Sequence, residues 1–425
     1  MEYIKKEQGS YNLHVIKTNA FKTVTVKVFF REVVQKENIT KRNFLNDILF
    51  LSTKKYPTKS VFAKALQNLY AARVYSSTRR LGTYLDTGFT LKVLHDKYSE
   101  PGNFEQAIAF FASIIFDPNV EDGAFNQRDF DTVYEEYKAD LESIVDDRPF
   151  YAMIRLMEET NPTSCSSYRG VGYLEDLEQI TPSNLYTYYQ DMLAHNLADI
   201  YVLGNVEIEE VVPLFRKYFT LNTFKAVKTP ILTEEIEPTR IKTLSETLES
   251  NQTQLCISLA TNHLSTYERN YPLSIYNTIL GGGTDSLLFK EVREKNSLAY
   301  RISSSPNKFD HLILINGGIA IDSEKQAISI IKKQLKRLAK GDFSEENIEA
   351  AKEYYLTAFD DMMESAVQLI SSYYMMDLLG TDDIETKRQK IQAVTKEEVI
   401  AVANKVKINT IFILKGGLEH AEDSH

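Results

Sequence analysis

The chain has 425 residues, with 59 acidic against 49 basic side chains and a net charge of −10. This length predicts two or three domains, at about 150 residues each. With 43% hydrophobic and 25% charged residues the composition is that of a globular protein, which excludes a disordered chain. The acidic balance argues against nucleic acid as a partner, since such binders carry a basic face. Cys165 and Cys256 are too few for a disulfide framework or a Cys-rich zinc site. Reduced thiols point to a reducing compartment. No apolar run reaches the length of a membrane span, about 18 residues. The first residues, Met1 to Glu7, lack the apolar core of a signal peptide. The cytoplasm is therefore the expected location, with no membrane partner.

In chain order, Leu13 to Val34 reads as two strands, the second carrying Val24, Val26, Val28 and Phe30 in alternation. Thr40 is expected to N-cap a helix from about Lys41 to Leu51. Ser60 to Tyr70 reads as helix, Val74 to Ser77 and Gly88 to Val93 as strands, Phe104 to Phe116 and Phe125 to Val145 as helices. Pro182 to Ala194 is a further helix, and Asp199 to Leu203 a strand. Phe224 to Leu244 has two prolines and little periodicity and is read as a linker, 224–244. The second half replays the first. Strand-like Thr253 to Leu259 leads into helical Tyr271 to Leu280 and Thr284 to Glu294, then strands Leu298 to Ser304 and His311 to Ala320. Helix Glu324 to Ala339, one long helical stretch Glu345 to Leu379, helix Lys396 to Val406 and strand Ile408 to Leu414 complete it. Two similar halves suggest duplication. The expected class is α+β: two homologous domains, 1–223 and 245–425, each a mostly antiparallel sheet with helices on one face.

Asn43, Asn46 and Asp47 fall at i, i+3 and i+4 and share one helix face. A zinc peptidase would place two His there at i and i+4, with a Glu between as general base. A neutral amide is a poor zinc ligand and takes no proton from water. Taken alone, the three residues read as a polar side facing solvent. Glu135 and Glu136 read either as a third metal-ligand position or as a solvated charged face. Gly281-Gly282-Gly283-Thr284 lacks the Lys-Ser/Thr ending of a nucleotide loop and follows a helix, so a helix end and turn is the better reading. Arg293 and Tyr300 can bind a peptide carbonyl or steady an oxyanion, or can be a salt-bridged Arg and a packed Tyr. The histidines, His14, His95, His195, His263, His311, His420 and His425, offer no helical metal pair.

At these residues the sequence resembles the pitrilysin/insulinase (mitochondrial-processing-peptidase-like) zinc peptidase family over nearly its whole length. In that family a strand pair leads into a helix reading His-Phe-Leu-Glu-His-Met-Leu-Phe. Here the segment is Asn43-Phe44-Leu45-Asn46-Asp47-Ile48-Leu49-Phe50, which keeps the hydrophobic frame and lacks both His and the Glu. Glu136 in Val133-Tyr134-Glu135-Glu136 falls on the family's third ligand, at a slightly longer interval than usual. Gly281 to Tyr300 resembles the family's C-terminal segment, and Arg293 and Tyr300 fall on its substrate-binding pair. Leu174 to Tyr189 and Val202-Leu203-Gly204-Asn205-Val206 resemble the end of its first domain.

The resemblance is to the metal-site-deficient chain of paired bacterial members, close to the YmfF-like proteins of Gram-positive bacteria. It implies a subunit inactive alone, with no cofactor of its own. It also implies zinc in a homologous partner chain, a peptide substrate and Arg293 and Tyr300 reaching that substrate. A homodimer in the absence of the partner is also compatible. Two alternatives stay open: a non-proteolytic peptide- or protein-binding scaffold, and a stand-alone peptidase whose metal is held by Asp47 and Glu136. Two carboxylates and an amide suit Mg, Ca or Mn better than Zn.

Overall fold

The computed structural model describes residues 1–221 and 229–417. Part of the expected linker, 224–228, and the tail residues His420 and His425 lie outside the described residues. The strands are β1 (Glu2–Glu7), β2 (Asn12–Lys17), β3 (Thr23–Val33), β4 (Arg73–Leu81), β5 (Tyr84–Leu94), the short hairpin β6 (Val120–Glu121) and β7 (Ala124–Phe125), and β8 (Leu197–Gly204). They continue as β9 (Lys242–Thr247), β10 (Thr253–Thr261), β11 (Ala299–Asn307), β12 (Leu312–Ile319) and β13 (Val406–Lys415). The α-helices are α1 (Lys36–Leu49), α2 (Lys59–Asn68), α3 (Asn103–Phe116), α4 (Gln127–Ser143), α5 (Arg148–Thr160), α6 (Leu174–Leu177), α7 (Pro182–His195) and α8 (Ile208–Tyr218). After them come α9 (Thr266–Asn270), α10 (Pro272–Asn277), α11 (Glu324–Ala339), α12 (Glu345–Met363), α13 (Ala366–Leu379), α14 (Ile384–Ala393) and α15 (Lys396–Lys405).

The chain forms two compact units. The first comprises residues 1–142, 169–231 and 362–381, and the second residues 143–168, 232–361 and 382–425. The first sheet has the order β4-β5-β3-β8-β2-β1 and the second β11-β12-β10-β13-β9. The two orders match strand for strand, apart from the extra outer strand β1. In both, one pair is parallel, β2 with β8 and β9 with β13, and the other neighbours are antiparallel. The architecture is therefore α+β with mostly antiparallel sheets, as expected, and the strand order is repeated.

The central strands are buried on both faces. Every residue of β10 is buried, as is Val24 to Phe30 of β3. Each unit also takes a helix from the other half of the chain. In the second unit α5 lies on β10 and β13, and in the first α13 lies on β3 and β8. The α13 contact is polar as well as apolar. His14, fully buried on β2, places Nε2 3.3 Å from Asp199 of β8 and Nδ1 3.2 Å from Asp377 of α13. Asp377 also accepts hydrogen bonds from Tyr3, Tyr201 and Lys5. Arg31 pairs with Asp199, and Tyr374 of α13 stacks on Phe29 with centroids 3.8 Å apart.

Burial alone would lower the His14 pKa, but the two carboxylates outweigh it and hold it above its ordinary value. The same contacts hold Asp377 well below the carboxylate range. A raised His pKa stabilises below the unfolded value and is lost as pH rises through the folded one. A depressed Asp pKa stabilises above its unfolded value and is lost in acid. The latch on α13 is therefore strongest in mildly acidic to neutral solution. The thermal midpoint is expected to fall as pH rises past neutral, and His14→Gln to flatten that fall. Removing the carboxylate with Asp377→Asn is expected to cost about 1.5–3 kcal/mol by denaturant unfolding, the scale of charged hydrogen bonds.

Candidate functional site

Helix α1 presents the degenerate motif. It begins at Lys36 with Gln35 as N-cap, so Thr40 lies inside the helix and is not its cap. Thr40 is buried, and its Oγ1 accepts from the Tyr173 amide at 3.0 Å. The apolar frame is intact: Phe44 packs on Phe130 of α4 with centroids 4.8 Å apart, and edge-on against Tyr137 at 6.2 Å. This fixes α4 beside α1. Behind the motif, Arg42 is fully buried, with Glu32 at 3.1 Å and Nε donating to Tyr188 at 2.8 Å.

The polar positions of the motif do different jobs. Asn43 donates to the Gly170 carbonyl at 2.8 Å, and Tyr137 donates to the Val171 carbonyl at 2.6 Å. The next residue, Gly172, has φ +89°, and a Cβ there would lie 2.5 Å from the Tyr137 hydroxyl and 2.8 Å from Thr40 Oγ1. Only glycine fits where this loop is held on α1 and α4. Asn46 is 3% exposed and donates to Thr78 of β4. The expectation of a solvent-facing side thus fails at Asn46, which belongs to the helix–sheet contact. Asp47 does face outward, as do Glu135, Glu136 and Asp140. Partial desolvation, followed by repulsion from Asp140 and Glu136, pushes the Asp47 carboxyl up to about 6.

Zinc does not fit this set. The Asn43 and Asn46 NH2 groups donate to Gly170 and Thr78, their amide oxygens are weak neutral donors for zinc, and no imidazole is among the motif residues. Asp47 and Glu136 are hard oxygen donors, whereas zinc sites are built mainly on nitrogen and sulfur. Among the described residues, no three His, Cys, Asp or Glu side chains are arranged to hold a metal ion. With these donors, α1 is not equipped to activate a zinc-bound water. Cys256 offers no nucleophile either: burial pushes its thiol up to about 12.

In the second unit the turn between α10 and β11 brings Arg293 and Tyr300 together. Arg293 lies on the π-helical turn Phe289–Glu294. The chain then reverses through Ser297, at φ +51°, with the Ser297 amide donating to the Arg293 carbonyl and Leu298 to that of Val292, both at 3.0 Å. The Arg293 guanidinium lies 4.6 Å from the Phe289 ring centroid and 5.6 Å from that of Tyr300. Tyr300 is 78% exposed. Neither its hydroxyl nor the guanidinium has a hydrogen-bond or ion-pair partner among the described residues. This is neither a salt-bridged Arg nor a packed Tyr. It is a preformed pair of donors aimed outward from β11, whose only strand neighbour among the described residues is β12.

The sequence pattern of the peptidase M16 inactive domain matches residues 179–355. The probable inactive metalloprotease YmfF of Bacillus subtilis is 28% identical over 419 residues, with 97% of each chain covered. A conserved protein from Enterococcus faecalis V583 has the same fold at a TM-score of 0.90 and 29% identity, covering 98% of this chain and 99% of that one. The M16 inactive-domain structure from Pseudomonas fluorescens superposes at 0.81 with 15% identity, covering 98% of both chains, which speaks for the fold alone. The chain is thus similar to the M16, or pitrilysin/insulinase, peptidases over nearly its whole length, and residues 179–355 match the inactive-domain pattern itself. The α1 chemistry agrees with the inactive character in the names of that pattern and of YmfF: the apolar frame of Phe44, Leu45, Ile48 and Leu49 carries Asn43, Asn46 and Asp47 and no imidazole. No helix among the described residues is long and apolar enough to cross a membrane.

Ionised Asp47 is a cost to the native state. Its folded pKa near 6 lies above the usual value of about 3.9, so its contribution is most favourable below the latter and is lost as pH rises through the former. Asp47→Asn is therefore expected to raise the denaturation midpoint at pH 8 and to have little effect at pH 4. An equal effect at both would show that the neighbouring carboxylates do not act on it.

Proposed function

We propose that this chain is the substrate-holding, non-catalytic subunit of a heterodimeric zinc metallopeptidase that cleaves peptides. The observation that carries the reading is the exposed, unpartnered Arg293–Tyr300 pair in a chain whose α1 has lost its metal donors. In this reading a homologous partner supplies zinc and the general base, and water attack takes place there. Arg293 offers a fork of N–H donors to a substrate carbonyl, and the Tyr300 hydroxyl donates to the oxygen that gains charge. Phe289 and the Tyr300 ring hold the guanidinium by cation–π contact, which reduces the ordering cost of using it. The bare side of β11 can take an extended peptide by strand addition. The kinship with a probable inactive metalloprotease supports the same reading.

The second reading is a scaffold that binds a peptide without any cleavage. The two separate when the chain is mixed with a zinc-bearing M16 homologue encoded beside it. The first reading expects peptide cleavage by the mixture and by neither chain alone. Arg293→Ala and Tyr300→Phe are each expected to slow it by about tenfold or more, as loss of a transition-state donor does. Tyr300→Phe keeps the ring under Arg293, so its effect isolates the hydroxyl. Unchanged rates in both variants would remove the assigned roles.

A further inference from the structure

Helix α12 runs for 19 residues, yet only Ile348 and Ala351 on it are buried. One of its remaining stripes recurs every three or four residues: Asn347, Ala350, Tyr354, Thr357 and Asp361. That stripe and the turn Gly282–Ser286 enclose a cavity of about 670 Å³. This lies inside the usual range for small-ligand pockets, about 300–1,000 Å³.

The glycines of the turn are not equivalent. A Cβ on Gly281 would lie 2.6 Å from the Ser304 hydroxyl and 2.8 Å from the Ser304 backbone nitrogen, so packing demands that glycine. Gly283 has φ −161° and ψ 179°, extended backbone open to any residue, and a Cβ there would meet nothing within 4 Å. Neither conformation nor packing requires glycine at 283. Its effect is to leave that wall of the cavity bare.

The electrostatics of the cavity have one sign. No Lys, Arg or His lines it, while Asp285, Glu353 and Asp361 do. Asp285 is answered by Lys290 at 3.0 Å. Glu353 and Asp361 have no cationic partner among the described residues. Tyr354, beside Glu353, is 53% exposed. Small side chains at Ala350 and Ala358 leave room for an alkyl stem along the helix. A cation over an aromatic face, next to uncompensated carboxylates and above an apolar floor, satisfies both its charge and its stem.

We infer that this cavity is a subsite for a Lys or Arg side chain of a bound peptide. Gly283 leaves its mouth open, Tyr354 supports the cation, and Glu353 and Asp361 supply the field. The inference rests on the substrate-holding reading and names a feature of that substrate.

The test uses the full isolated chain and pentapeptides acetylated at the N-terminus and fluorescein-labelled at the C-terminus, with alanines around a central Arg, Lys or Glu. Binding is read by fluorescence anisotropy at low ionic strength. The Arg and Lys peptides are expected to bind and the Glu peptide not. Gly283→Leu is expected to weaken binding by about tenfold or more, the scale of a blocked anchor pocket, with an unchanged thermal midpoint. Should Gly283→Leu unfold, Ala358→Lys, on the open side of the helix, places a competing cation in the cavity and is expected to weaken binding likewise. Glu353→Gln with Asp361→Asn is expected to reduce both affinity and its salt dependence.

Equal binding of Arg and Glu peptides, or Arg binding indifferent to both Gly283→Leu and Ala358→Lys, would overturn the subsite. N-acetyl-arginine amide displacing the peptide at equal affinity would overturn it as a peptide subsite and leave a small-cation site. Because no partner chain is present, failure of the cleavage assay leaves this readout untouched. A chain that supports cleavage while failing here loses only the subsite.

Discussion

The contact between Phe44 of α1 and Phe130 and Tyr137 of α4 is the constraint on which the degenerate motif depends. It holds the two helices in place through their apolar sides. The exposed positions, Asp47, Glu136 and Asp140, are then free to vary without loss of the fold, because an exposed polar position contributes little to stability, whereas Asn43 and Asn46 are tied into neighbouring contacts. Asn43 and Tyr137 clasp the 170–172 loop, Asn46 ties α1 to β4, and Asp47 is left beside Glu136 and Asp140. The motif positions of α1 thus serve packing and surface interactions on a hydrophobic frame.

The second unit presents exposed donors, where the motif positions of the first are largely engaged in packing. Two π-helical turns, Thr278–Gly282 and Phe289–Glu294, widen the backbone just where the Gly-rich turn and Arg293 occur. Such turns cost regular hydrogen bonding and recur at functional positions. Here they set Arg293 over Phe289 and Tyr300 at the head of an edge strand. The exposed donors stand on a rigid base, since Val292, Leu298 and Ala299 around them are buried. That combination, firm backbone and open side chains, is what recognition of an extended peptide requires.

Much of the fold is legible in the sequence because its core strands and longest helices carry strong periodicity. The matching strand order of the two sheets fits the duplication read from the pattern. What the pattern hides has identifiable causes. Helix α5 escapes because Pro149 follows a run that reads as the end of α4, although proline at the first turn with Asp147 as N-cap is a helix start. Helix α8 carries Pro213 internally, which reads as a break, yet Ile208, Val211, Val212 and Phe215 form a buried stripe. Strand β9 is only half-buried, so its alternation is mixed with charge. The stretch from Glu345 to Leu379 is two helices, because Ser365 adopts extended backbone and caps α13 through Gln368. At the site, the pairing of Arg293 with Tyr300 follows from resemblance. The burial of Asn46 cannot be read from spacing, because it depends on β4, which is distant in sequence.

The measurement that bears most directly on the α1 motif is the metal content of the untagged, purified chain by elemental analysis after dialysis. Asn43, Asn46, Asp47 and Glu136 as arranged in this chain predict less than about 0.1 metal ion per chain, because a zinc site needs a convergent set of about four donors. Close to one zinc per chain, lost on Asp47→Ala, would contradict this reading and make the isolated chain an enzyme in its own right.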